Sequence, residues 1–341
     1  MKSIENEVQL DELLSVPSSR LVEMMKRLDG DIMILGIAGK MGVTLGRMAK
    51  NAIEKAGVSK KVFGVSRFSN PDARKKLEEW GIETISCDLL DQNSVELLPT
   101  VPNIIYMAGR KFGTDGSEEL TWAMNVTAPG YVARHFKDSR IVAFSTGCVY
   151  PLTPVEACGC TEACTPASVG EYAQSCLGRE RVFGHFCKEN KTPTLLLRLN
   201  YAVDLRYGVL HDIGMNVWEG KPVSKSVGHF NVLWQGDANN YALLALEHCG
   251  VPAVPLNITG PETIPVNQIS EHFAKVMGKK VKYEGEPGGT AYLNNAAKAF
   301  DLFGYPEVSL SRMIECQAEW IMQGGSSLGK PTHFEVNDGK F

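Results

Sequence analysis

Tyr172 and Cys176 stand four residues apart in SVGEYAQSCLGRERVF (168–183), a spacing that puts phenol and thiol on one face of a helix. A phenol titrates near pH 10, so around neutrality it gives protons and is a poor base unless a cation stabilises its phenolate. A neutral thiol supplies no such charge, and a thiolate would push the phenol higher still. Arg179 lies two turns beyond Tyr172 on that face, about 10 Å along the helix, while Arg181 points elsewhere. Three outcomes stay open: Tyr172 as the general acid of a carbonyl reduction, a cation recruited from elsewhere, or a fold that binds without chemistry.

A second chemistry is phosphate binding. ILGIAGKMG (34–42) joins a strand-like apolar run to a helix-like stretch, with glycines at 36, 39 and 42. That spacing gives a tight turn, a close backbone approach to a pyrophosphate and close helix packing, and the helix N-terminus offers its amides to the phosphates. Met41 and Lys40 lie in the same loop. The next strand ends in GVSRFSN, with Ser66 where a free ribose 2'-hydroxyl would call for an acid, and Arg67 after it. Arginine suits a 2'-phosphate and Lys40 adds a cation, so NADP is expected over NAD, which stays an option.

The elements that must carry these residues follow from periodicity. Seven short apolar runs, IMILG (32–36), KVFGVS (61–66), ETIS (83–86), NIIYM (103–107), RIVAFS (140–145), TLLLRL (194–199) and VPLNI (254–258), alternate with helical stretches. Several are apolar on both faces, which predicts an α/β fold with a parallel sheet covered on both sides. Met41, Leu45, Met48, Ala49, Ala52 and Ile53 form a helical stripe that completes a first βαβ unit. Further helices are expected over 117–136, 171–190, 237–248, 266–277, 290–302 and 309–323, and one opening at Ser18 or Ser19. The first 15 or so residues read as a loosely held arm, and 201–227 as a departure from the sheet.

Bulk composition sets limits. The 341 residues carry 44% hydrophobic and 22% charged side chains and a net charge of -4, with no run of one sign, so neither nucleic acid nor membrane is an expected partner. With no apolar stretch long enough to span a bilayer and no signal core at the start, a cytoplasmic protein with free thiols among its nine cysteines is expected. Cys158, Cys160 and Cys164 lack paired zinc spacing, and no metal is expected.

Taken in order, GIAGKMG, CDLLD (87–91), YMAG (106–109), MNV (124–126), FSTGCVYP (144–151), GEYAQSC with Glu180, and LRLN (197–200) resemble the extended short-chain dehydrogenase/reductases, the NAD-dependent epimerase/dehydratase family. The likeness runs over about 31–325, and the lysine that this family carries four residues after its tyrosine is Cys176 here. The resemblance implies a Rossmann-type doubly wound sheet with a smaller C-terminal substrate lobe. It implies that Asp88 and Leu89 meet the adenine, that Ala108 and Gly109 line the ribose side, and that Asn125 holds the site backbone. Thr146 would bind the substrate oxygen and Tyr172 move the proton, with Cys176 in the third catalytic position. Dimerisation through helices beside the site helix is typical of the family.

For the substrate, an arginine seven residues before Asp237 would hold a nucleotide-sugar diphosphate in such a protein, and that position is Phe230. A free sugar, sugar acid or polyol is therefore expected, met by Asn200, Tyr201, Arg206 and His211 after the sixth strand; Arg206 is as readily a carboxylate anchor as a surface residue. The expected organisation is an arm and helix over 1–30, a dinucleotide domain over 31–200 with a returning segment near 228–262, and a substrate lobe of 201–227 and 263–341. The expected function is an NAD(P)-dependent oxidoreductase on a small carbohydrate-like substrate. The alternatives are a cofactor-retaining epimerase or dehydratase, and a catalytically silent dinucleotide-binding sensor.

Overall fold

The computed structural model describes residues 4 to 336 apart from 112 and 115. Seven parallel strands form the central sheet: β1 (Ile32–Leu35), β2 (Val62–Ser66), β3 (Glu83–Ser86), β4 (Asn103–Tyr106), β5 (Arg140–Thr146), β6 (Thr194–Leu199) and β7 (Val254–Ile258). Their order is β7-β6-β5-β4-β1-β2-β3, so the chain reverses direction across the sheet between β1 and β4. In such a sheet the crevice outside the carboxyl ends at that reversal is where ligands bind. All seven apolar runs lie in this sheet. β1 and β4 are buried along their whole length because both faces are covered.

One face is covered by α2 (Ser19–Arg27) and α3 (Gly42–Ala56), with Met24, Met25, Leu45 and Met48 packed against Ile34 and Ile105. The predicted stripe is the buried side of α3, with Met41 partly covered at its start. α4 (Pro71–Glu79) and α5 (Gln92–Glu96) flank β3. The opposite face carries α7 (Ala128–His135) and α8 (Gly170–Asn190), whose Val132 and Phe183 meet Tyr106 and Ile104. α6 (Glu118–Trp122) runs into α7 through a π-helical turn, Ala123–Thr127, so the helix expected over 117–136 is present with one widened turn.

A separate apolar cluster joins α9 (Val209–Glu219), α11 (Val266–Met277) and α13 (Leu310–Met322) through Ile213, Phe273 and Trp320, and α10 (Gln235–Leu244) and α12 (Ala297–Phe303) pack back onto the sheet. Two expectations need correction. The N-terminal residues do not trail: α1 (Glu7–Leu13), capped by Asn6, buries Leu10 and Leu14 in the α9/α11/α13 cluster, and Asp11 pairs with Lys76 and Arg206. Residues 201–227 leave the sheet as expected, and carry α9 there. Of the helix expected over 290–302 only α12 forms, because Thr290–Ala291 pairs with Thr153–Pro154 as a short antiparallel ladder and the Asn295 side chain caps Ala297.

Candidate functional site

A cleft of about 840 Å³ opens at the carboxyl ends of β1, β4, β5 and β6. One end is bounded by Asn70, Asp72 and Lys76 of the β2–α4 segment, the middle by Gly36, Gly39, Lys40 and Met41, and the far end by Thr146, Tyr172 and Tyr207. The glycine loop sits at the sheet reversal. Gly36 has φ +93, and a Cβ on it would lie 2.7 Å from the Ala108 nitrogen, so this position admits no side chain. α3 begins at Gly42, with Met41, Val43 and Thr44 at its start bordering the cleft, an arrangement that suits a pyrophosphate.

At the far end Tyr172 occupies the first turn of α8. Its hydroxyl hydrogen-bonds the Thr146 side chain, at the end of β5, and the Cys176 thiol lies against the same hydroxyl. Thr146 Oγ1 also accepts from the Cys148 backbone NH at 3.2 Å, which fixes the turn after β5. Burial, then Cys176 and Cys148, push the Tyr172 phenol well above its usual value, against the opposing influence of Arg179 and the Thr146 bond. Burial likewise raises the Cys176 thiol, so the pair is protonated at neutral pH.

Arg179 acts on the phenol through its charge, while its hydrogen bonds go elsewhere. It is buried, donating through Nη1 to the Phe144 carbonyl at 2.9 Å and through Nη2 to Asn125 Oδ1 at 2.6 Å. Its guanidinium lies directly under Gly109, where a Cβ would collide with Nη2. Asn125, in the π-helical turn, also accepts from the Arg110 NH and donates to the Arg110 carbonyl and to Ser175 Oγ, each at 2.9 Å. One amide thus clamps the loop after β4 to α8. Deeper in, Arg198 of β6 holds Glu180 of α8 by two bonds of 2.9 and 2.7 Å, and Ser145 Oγ donates to the same carboxylate at 2.6 Å.

Two lysines converge on the same space. Lys40 Nζ stands 3.3 Å from the centroid of the Tyr207 ring, and burial, with Lys111 and Lys330 nearby, pushes it down to about 7 against the pull of Asp212 and Asp204. Lys111 also lines the cleft, and burial lowers it despite Cys148, Cys176 and Asp212. Lys111, Cys148, Tyr207 and Asp212 escaped the sequence reading. Lys111 and Cys148 carried a usable signal, since both follow the carboxyl end of a strand within three residues of a motif position.

The expected site residues divide. Gly36, Gly39, Lys40, Met41, Gly109, Thr146, Tyr172, Asn200 and Tyr201 border the cleft, and Gly42, Asn125, Cys176 and Ala108 lie immediately behind its walls. Tyr201 adopts φ +43, a left-handed conformation that is strained for a residue with a side chain. Ser66 and Arg67 end β2 outside the cleft wall, with Arg67 exposed. Asp88 accepts from the Leu90 NH at 3.1 Å and so caps its own turn, and Leu89 is buried in the core. Arg206 borders the cleft, and its guanidinium pairs with Asp204 at 2.8 Å and Asp11 at 3.1 Å, ion pairs with which a substrate carboxylate would compete. One substrate assignment needs correction: His211 lies within the α9/α13 cluster, its ring nitrogens bonded to the Leu205 carbonyl at 2.9 Å and Ser327 Oγ at 3.0 Å.

No protein-family model matches the chain, and no curated protein does. Solved structures do. A UDP-glucuronic acid 4-epimerase from Bacillus cereus in complex with UDP-glucuronic acid and NAD is 19% identical with a TM-score of 0.69, covering 86% of this chain and 99% of its own. A dTDP-glucose 4,6-dehydratase from Bacillus anthracis in complex with NAD is 15% identical with a TM-score of 0.72, covering 87% and 97%. A UDP-glucose 4-epimerase from Thermotoga maritima with UDP-glucose is 16% identical with a TM-score of 0.68, covering 86% and 99%. The chain therefore has the Rossmann-type α/β fold of these epimerases and dehydratases, as its motifs predict.

Proposed function

We propose that this chain is a nicotinamide-dinucleotide-dependent oxidoreductase of the epimerase/dehydratase type, acting on a small carbohydrate-like substrate. The observation that carries the reading is the Tyr172 phenol, hydrogen-bonded to Thr146 at the floor of a cleft that continues into the glycine loop. The fit to a dinucleotide rests on that loop: a side-chain-free turn at Gly36 and a helix N-terminus facing the cleft. When bound, the cofactor would supply hydride chemistry. Thr146 orients the substrate oxygen, and Tyr172, held protonated by burial, delivers a proton to it as a carbonyl is reduced. Asn125 and Arg179 keep the loop after β4 and helix α8 in register with each other.

Two finer features belong to the same reading. Phe230 is buried and Asp237 accepts from the Glu307 and Val308 amides, so this segment presents no cation to a nucleotide diphosphate, which favours a smaller substrate. Of the structural neighbours, two were solved with NAD and two with nucleotide sugars. The Ser66–Arg67 end of β2 favours NADP here. In this reading the cofactor lies on the dinucleotide domain, and the substrate between it and a lobe built on α9, α11 and α13.

The test is a screen of sugars, sugar acids and polyols for change in reduced-nicotinamide absorbance. At least one substrate should turn over, and Tyr172→Phe should slow it by about 100-fold or more with cofactor affinity kept. Tight cofactor binding without turnover on any compound, and no effect of Tyr172→Phe, would favour a silent sensor instead.

A further inference from the structure

With a thiol at position 176, the cation that helix α8 offers Tyr172 is Arg179, whose charge opposes the upward shift of the phenol while its guanidinium is hydrogen-bonded to Asn125 and the Phe144 carbonyl. We propose that Lys111, entering from the loop between β4 and α6, supplies the positive charge that stabilises Tyr172 when its proton leaves. The inference rests on Tyr172 being the acid/base group of the reading above.

Geometry carries it. Lys111 Nζ lies 5.9 Å from the centroid of the Tyr172 ring, inside the range in which an ammonium acts on an aromatic ring. Both side chains border the same cleft, with Thr146 and Cys148 between β5 and α8. The ammonium interacts electrostatically with Cys148 and with Cys176 itself, so it occupies the neighbourhood that a cation on residue 176 would serve. Its backbone is fixed on both sides. The preceding residue, Arg110, exchanges two 2.9 Å bonds with the Asn125 amide, and the Lys111 carbonyl accepts from Thr114 Oγ1 at 2.9 Å.

On this proposal a loop cation joins Arg179 of the site helix beside the phenol. The groups facing Tyr172 are Cys176 and Arg179 on α8, Thr146 and Cys148 at the end of β5, and Lys111. Those facing Lys111 include Asp212 on α9 and Lys40 in the glycine loop. In the reduction, the Tyr172 O–H bond breaks as the proton joins the substrate oxygen, and Lys111 stays an ammonium beside the phenolate left behind. Burial pulls Lys111 down, and Cys148, Cys176 and Asp212 work against that shift toward the ammonium form.

The test reads the phenol directly. The full chain is labelled with 3-fluorotyrosine, whose ring fluorine acidifies the phenol into a workable pH range, and Tyr172 is assigned by the ¹⁹F resonance lost in Tyr172→Phe. Lys111→Met should raise the Tyr172 midpoint by about one to two pH units, the scale of a unit charge at this distance. Lys111→Arg should restore most of it, and Lys40→Met, which removes a lysine from above Tyr207, should shift it less. An unchanged or lower midpoint in Lys111→Met would overturn the proposal, as would a Tyr172 that stays protonated throughout the range in the unsubstituted protein. Because the readout is a protonation equilibrium, absence of turnover would count against the proposed function and leave this result standing.

Discussion

At the scale of single residues, the site works by what it keeps protonated. Tyr172 and Cys176 share a buried corner in which burial disfavours ionisation of both, and Cys176 and Cys148 act further against the phenolate. The fixed charge nearby is spent on architecture. The Glu180–Arg198 pair is nearly inaccessible on both sides and ties α8 to β6 beneath the phenol. Removing one charge of such a pair leaves the other buried without compensation, a loss of about 3 to 5 kcal/mol. Glu180→Leu should therefore lower the calorimetric Tm by several degrees, and pairing it with Arg198→Leu should recover part of the loss. A double variant as unstable as the sum of the single changes would show the pair to be unimportant as a pair. The tyrosine, threonine and glycines were readable in the sequence because they recur at fixed spacing. Arg206 was not, because its partners come from 204, 11 and 7, and only folding brings 7 and 11 to it.

At the scale of elements, β1 and β4 were legible because strands covered on both faces are apolar along their whole length, while the edge strand β3, exposed at both ends, was legible from its place in the alternation of strands and helices. Connections that depend on distant pairing were not. The segment 290–296 has helix-like spacing but is captured by the 153–154 ladder and the link between Cys160 and Asn294. α1 is short and polar, and it is held by Leu10 and Leu14 entering a cluster built by α9, α11 and α13, so nothing local announces it. α8 was read nearly to the residue, since its buried face and its site residues coincide. Lys111 lies in a loop, where no periodicity marks a functional side chain.

At the scale of the whole molecule, a chain of net charge -4 gathers Lys40, Lys111 and Lys330 around one cleft, which attracts anionic ligands such as a dinucleotide. Among the described residues no helix is long and apolar enough to cross a membrane. Stability should carry a signature of Asp237, whose buried carboxyl is pushed up to about 6 from an unfolded value near 3.8. The folded state then binds the proton more tightly than the unfolded one. This group's stabilising contribution is complete below about pH 4 and is lost as pH rises through about 6. Relative to the unsubstituted protein, Asp237→Asn should gain Tm steadily from pH 4 to 6 and no further above. A difference independent of pH would contradict that assignment.

The central claim, that the cleft at the reversal between β1 and β4 holds a nicotinamide dinucleotide, is tested most directly by calorimetric titration of the full chain with NAD and NADP. One site per chain is predicted, tighter for NADP, with the preference reduced in Arg67→Ala. Gly36→Ala, which forces a Cβ against Ala108, should weaken both cofactors by at least about tenfold. No binding of either dinucleotide, or binding indifferent to Gly36→Ala, would contradict the account.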